Sequence, residues 1–540
     1  MLLKLVTALL ATPWLVVPTQ AQRLQLGHVD PIPVLDASAK AMGVDQLRCI
    51  AFAGTGYAGK VGQNVTQDTD WPRGEALRDY SRTIDFERRA SVERFTRRPG
   101  MNPASWKYGP GWLGGTPLQR HEQQMFAVRG PYAWHVDGPG APPVPAPSSA
   151  ELWQLDIWMT PQGFVRAARM PGAETTAIWR WELGESGRDG PTTSDIQKVT
   201  VVSATVLGKY RVNATIREGS FVERTQTRVA HPVLGDMNYE HEFTEWKNLG
   251  NGIRFPAGWH HHDGWDDERQ VPVLSGGHNS FGGSFPQMRA NDCNTLDVPE
   301  AVRSAKPPNE TVHPEALADG VWLLSGSSHN SVAITFKDFV AIVEAPLNEG
   351  RSLAVIDTVV DLAPNKPIRF LLNTHSHYDH LGGLRTYLHI GATILTHQRN
   401  RMFYESELLN YVPRTLDPDM VSLYPPTEIS EGYTIEDVDE KYILGDGERF
   451  LEIYYVQGLG AHVEGMLMAY LPSERIIIEA DLYDPGSLPE DAPRPTDTER
   501  AFLRNVRQNR LEPAIVVPIH GAAASWDQFL RETKQDDTRN

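Results

Sequence analysis

Residues 371–383 read Leu-Leu-Asn-Thr-His-Ser-His-Tyr-Asp-His-Leu-Gly-Gly, which puts His375, His377, Asp379 and His380 within one six-residue run. Neutral imidazole nitrogens and carboxylate oxygens are the donors that zinc takes. The run follows Ile368 to Leu372, an apolar stretch of the length of a buried strand. In an extended segment His375 and His377, two apart, point the same way. Asp379 and His380 come as the chain turns into a helix expected over Leu381 to His389, where they can face a second ion. Gly382 and Gly383 permit that turn and close packing of the helix. A chance histidine-rich loop would not carry the four donors in this order.

Outward from the run, apolar strands are expected at Val321 to Leu324, Val332 to Phe336, Phe339 to Glu344 and Ala392 to Leu395. Others follow at Leu451 to Val456, Arg475 to Glu479 and Ala514 to Val517, with a last helix at Ser525 to Thr533. Strands mixed with helices in this order predict an α/β domain over residues 315–540, helices outside its sheets. Ala305 to Pro314 is the expected linker. Residues 22–304 have another texture, that of a mostly antiparallel β domain. Arg211 to Arg217 alternates apolar and polar residues, flanked by strand-like stretches at Lys198 to Leu207 and Phe221 to Val229. Trp246 to Pro256 predicts strand, turn and strand, in a domain placed by its proximity over the mouth of the site. A helix is expected over Pro33 to Ile50, and a flexible loop over Gly138 to Ala150. The run His260-His261-His262-Asp263 is expected to be a solvated loop rather than a metal-binding tract.

The pattern His-x-His-x-Asp-His from His375 to His380 resembles the hallmark of the metallo-β-lactamase-fold hydrolases, over about Gly320 to Thr533. The resemblance implies an αββα sandwich and three more ligands, each after a strand. His462 follows Leu451 to Val456, Asp481 follows Arg475 to Glu479, and His520 follows Ala514 to Val517. It implies two zinc ions per chain, one held by His375, His377 and His462, the other by Asp379, His380 and His520, with Asp481 bridging. It makes Asp379 the catalytic carboxylate as well as a ligand, and it implies hydrolysis by a hydroxide shared between the metals. In the oxygen-reducing iron relatives a carboxylate stands where this chain has His377, so zinc is preferred. Two departures are Glu344, where the family usually supports its ligands with Asp, and Ala480, where Gly is common before the bridging Asp. His389 and His397 fall outside the ligand pattern and are read as structural.

A chain of 540 residues is too long for one core. Its formal charge of −17 argues against a nucleic-acid partner, which would need a basic footprint. Met1 to Ala21 has one lysine, a short apolar stretch and small residues before Gln22, the pattern of a secretory leader. No later stretch has the length and apolarity of a membrane span. The expectation is a periplasmic or secreted protein acting on a small molecule. Cys49 and Cys293 either form one disulfide or stay unpaired and buried. The scaffold hosts several hydrolyses; an ester, lactone or thioester fits these ligands better than a β-lactam, since lactamases of this fold seldom carry the bridging Asp. A rival reading makes the chain an envelope ligand carrier with a vestigial metal site.

Overall fold

The computed structural model describes residues 27–66, 71, 75–99, 121–183, 196–264, 278–306, 309–408, 414–425, 434–459, 462–486 and 494–536. The expected leader lies outside them. The described residues form three sheets.

The first sheet is antiparallel throughout and has fourteen strands among the described residues, all from the chain before residue 291. Its centre is the long hairpin Gly235–Gly250 and Ile253–Gly264, joined through His278–Ala290 to Cys49–Ala58 and Glu75–Asp85. The helices Ala150–Met159 and Pro161–Ala168 bury Leu155, Phe164 and Val165 in the same cluster as Phe52, Phe255 and Trp259 of the sheet. The helix expected from Pro33 spans Pro31–Met42 and stops earlier than its apolar spacing suggested. Gly43 caps it at φ 66, a left-handed conformation that glycine adopts without strain, and Cys49 already begins a strand. Cys49 and Cys293 are joined in a disulfide, with Cα atoms 6.0 Å apart. The Gly138 to Ala150 stretch is not a free loop: it contains the strand Val144–Pro145 and the turn Pro147–Ser149. The expected linker also shortens, because His313–Ala318 pairs with Val321–Ser325.

The second sheet has seven strands in sequence order, His313–Ala318 to Ile435–Val438. It is antiparallel up to Val340–Val343 and parallel from there through Ile368–Leu372, Thr393–His397 and Ile435–Val438. The third runs Lys441–Gly445, Phe450–Tyr455, Leu467–Leu471, Ile476–Glu479, Ile515–Pro518 and Ala524–Ser525. Val332, Ile334, Val343 and Leu372 of the second sheet share one core with Ile453, Leu467, Ile478 and Val517 of the third. On the outer side of the third sheet, Phe502 and Val506 of helix Asp497–Gln508 pack with Trp526 and Phe529 of helix Trp526–Thr533. On the outer side of the second, Val355 and Val359 of helix Glu349–Leu362 join Leu384 and Leu388 in the cluster that runs on into the first sheet.

The first sheet is bound to the rest by hydrogen bonds as well. Arg414 donates to the carbonyls of Pro232 (2.9 Å) and Val233 (2.8 Å), and the Thr415 and Leu416 amides donate to the Asp236 carboxylate.

Candidate metal centre

The strands of the second and third sheets end at one common edge, the place where open α/β sheets collect ligands. Every expected metal donor sits there. His375 to Asp379 follow Ile368–Leu372, Asp481 follows Ile476–Glu479, His520 follows Ile515–Pro518, and His462 lies between Phe450–Tyr455 and Leu467–Leu471. The expected helix after the run is two short ones, Tyr378–Leu381 and Leu384–His389, interrupted at Gly382 and Gly383. A Cβ on Gly382 would stand 1.9 Å from the Leu347 carbonyl oxygen, and one on Gly383 1.9 Å from Ser352 Oγ. The chain can therefore turn here against the 347–352 segment only with glycine.

The seven expected donors fall into two groups joined by Asp481. In the first, His375, His377, His462 and Asp481 offer atoms that lie within 4.8 Å of one another. Asp481 Oδ2 is 3.4 Å from His375 Nε2, 3.8 Å from His377 Nδ1 and 3.2 Å from His462 Nε2. The second group contains Asp379, His380 and His520, and toward it Asp481 turns its other oxygen. Oδ1 lies 2.9 Å from His520 Nε2 and 3.2 Å from His380 Nε2. Asp481 has φ 60, and the buried Glu479 carboxylate holds this turn by accepting from the Leu482 and Tyr483 amides.

This donor set could hold metal. His375 Nε2 and His377 Nδ1 are buried and make no hydrogen bond, an expensive state for a polar atom unless an ion takes its lone pair. Without an ion the electrostatics are tense. Burial, then the neighbouring His380 and His377, hold His375 well below the usual imidazole range. Burial would do the same to His380, but the Asp481 and Asp379 carboxylates carry it well above that range. Asp481 is buried too, yet His380 and the His375 and His377 rings that face it keep its carboxyl well below the usual carboxylate range.

The supports of these donors reach across the molecule. Glu344 is fully buried and accepts from Asn373 Nδ2 (2.7 Å), the Thr374 amide (3.2 Å) and Thr374 Oγ1 (2.5 Å). Its Oε2 also lies 3.2 Å from His380 Nδ1, so the longer carboxylate does take up the supporting position expected of it. His377 turns its outer nitrogen, Nε2, to the Asn64 carbonyl at 3.1 Å, and Gln63 Nε2 donates to Asp379 Oδ1 at 2.7 Å. Both residues follow strand Cys49–Ala58 of the first sheet, so that sheet contributes directly to the centre. Nothing in the sequence near Gln63 signals this, because the contact spans more than three hundred residues.

His329 is the other residue that sequence reasoning missed. It precedes strand Ser331–Thr335 and belongs to the second group, with Nε2 3.2 Å from Asp379 Oδ2. Among the described donors of the centre, the Asp379 and His520 side chains are the most exposed, keeping 33% and 23% of their surface.

The histidine run of the first sheet is a correction. His260 to His262 lie in strand Ile253–Gly264, not in a solvated loop. His261 stacks on the buried His241 at 3.7 Å, while His262 points to the other face and bonds Glu240 at 3.1 Å and Asn279 at 3.1 Å. Glu240, Glu242 and His262 come close together, but Glu240 already meets the His262 ring and, at 3.9 Å, Arg224. His397 caps helix Gln398–Phe403, as befits a structural residue. Among the described residues no helix is long and apolar enough to cross a membrane.

Residues 325–520 match the family model of the metallo-beta-lactamase superfamily. The C-terminal part of the chain is thus similar to that superfamily, which supports a hydrolase at the general level. Solved structures similar to this part include a metallo-beta-lactamase from Pontibacter korlensis, 15% identical, covering 42% of this chain and 100% of that one, with a TM-score of 0.31. Another is the metallo-beta-lactamase FIM-1 from Pseudomonas aeruginosa in its mono-zinc form, 20% identical, covering 43% and 96%, with a TM-score of 0.32. No curated protein matches the sequence.

Proposed function

We propose that the chain is an exported hydrolase whose C-terminal αββα sandwich holds two zinc ions and cleaves an ester, lactone, thioester or related bond of a small molecule. On this reading it divides into a leader (1–21), a β domain (22–304) and a catalytic domain (315–540). One ion is held by His375, His377 and His462, the other by Asp379, His380 and His520. The observation that carries the reading is Asp481, whose two oxygens face the two groups separately. Two divalent ions in such a site supply Lewis acidity and make a water acidic enough to ionise near neutral pH.

The residues of the chain prepare the site. Glu344 and the Asn64 carbonyl fix the outer nitrogens of His380 and His377, so each ring presents its other nitrogen inward. Asp379 is held by Gln63 from one side and stands at the solvent-facing edge, where a substrate meets the site and where a catalytic carboxylate belongs. The disulfide and the leader-like N-terminus support export.

The test is a panel of esters, lactones, thioesters and β-lactams offered to metal-stripped protein before and after zinc is restored. Turnover of an ester-class substrate that returns with zinc is the expected result. A protein that holds no tightly bound divalent metal and leaves the whole panel untouched would favour the carrier. Strong β-lactam turnover lost in Asp481→Ala would reverse the ranking of substrates.

A further inference from the structure

We infer that His329 is an additional metal ligand, giving the second site four donors of its own besides the shared Asp481. This rests on the two-metal reading above and goes beyond it, since no donor from this part of the chain was expected.

The placement of His329 is built rather than incidental. Its ring is buried, with centroids 4.1 Å from that of His520 and 5.1 Å from that of His380. The donor atoms of His329, Asp379, His380 and His520 all lie within 4.8 Å of one another. Away from the site, Nδ1 lies 2.9 Å from Ser328 Oγ. With the proton on Nδ1 donated to that hydroxyl, the Nε2 lone pair faces inward, which is how outer partners orient histidine ligands. The loop that carries the ring is stitched to the segment that carries His520. The Asn330 amide donates to the Ile519 carbonyl at 2.8 Å, and Asn330 Nδ2 donates to those of Pro518 (3.2 Å) and Gly521 (2.6 Å). At the loop's start Gly326 has φ 121, and a Cβ there would lie 2.2 Å from the Thr311 carbonyl oxygen.

A simpler role for His329 would be to hold Asp379. Gln63 already donates to Asp379 Oδ1, and Oδ2 is the oxygen that faces both His329 and, at 3.7 Å, His380. Two rings converging on one carboxylate oxygen, beside a third, is the arrangement of a shared ion. A site with five protein donors suits an ion that accepts five or six ligands better than a strictly tetrahedral one.

Cobalt(II) titration of the full-length protein, followed by visible absorption and by binding isotherms, separates these roles. Wild-type protein should take up two ions in distinguishable steps. His329→Ala and His329→Gln should both weaken one step by at least roughly 10–100-fold, the loss known for outer partners alone, and alter the absorption of that ion. The other step, at His375, His377 and His462, should survive and report that the variant is folded. Restoration of affinity and spectrum by His329→Gln, whose amide can still donate to Asp379, would overturn the inference and leave a positioning role. If His329→Ala fails to fold, the glutamine variant decides alone. A wild-type protein that binds a single ion would overturn the two-metal reading itself, a result distinct from loss in the variants only.

Discussion

Replacing Glu344 by glutamine tests whether the centre depends on a buried charge outside its donors. The carboxylate has no solvent access and faces four donors: Asn373 Nδ2, the Thr374 amide, Thr374 Oγ1 and His380 Nδ1. Glutamine keeps the volume but sets an NH2 group against two of them. Two charge-assisted hydrogen bonds at about 1.5–3 kcal/mol each are then weakened or lost. Rotation of the Thr374 hydroxyl to accept from the new amide offsets part of this, leaving a destabilisation of about 3 kcal/mol. The His380 ring also loses its anionic partner, which should weaken zinc binding roughly 10–100-fold. Urea unfolding of the metal-free protein measures the first quantity, and competition with a chromophoric chelator measures the second. Unchanged zinc affinity in Glu344→Gln would refute the reasoning, even if the protein were destabilised, because the carboxylate would then be a packing feature only.

Three further outcomes follow from other contacts. Gly62 has φ 72, and a Cβ there would stand 2.1 Å from the Tyr378 ring, so Gly62→Ala should cost about 1–3 kcal/mol. It should also lower zinc content; a fully stable, fully loaded variant would show that the loop is not seated as described. Removing the Gln63 amide in Gln63→Ala should weaken zinc binding by roughly tenfold, the lower end for an outer partner, with the first sheet still folded by circular dichroism; wild-type affinity would count against the sheet's contribution. Burial raises the Asp263 carboxyl from 3.8 to about 7. Its native form therefore keeps a proton that the unfolded chain gives up earlier, so stability present at low pH falls as pH rises through this window, by about 4 kcal/mol in all. Asp263→Asn should flatten that slope in urea unfolding at a series of pH values, and an unchanged slope would show that another group causes it.

Much of the C-terminal part was legible because its strands are short and apolar and four of them are each followed by an expected donor. Ile368–Leu372 was read to the residue, and Asp481 and His520 were found by looking past the ends of strands. The strands Ile435–Val438 and Lys441–Gly445 were missed because Glu436, Asp437 and Lys441 break the apolar pattern. His329 stands alone in a serine-rich loop, with no donor at metal spacing beside it. Gln63 and Asn64 become functional only through a fold that brings the first sheet to the second. The run His260 to His262 misled for a different reason. Histidines are polar in composition, but along a strand they alternate, so that His261 packs inward on His241 while its neighbours face the other way.

The central claim is that Asp481 joins two ions. Elemental analysis of full-length protein dialysed against zinc, beside Asp481→Ala, tests it most directly. Wild-type protein should hold two zinc ions per chain and the variant less than one. Two ions retained without Asp481, or a wild type that never exceeds one, would contradict it.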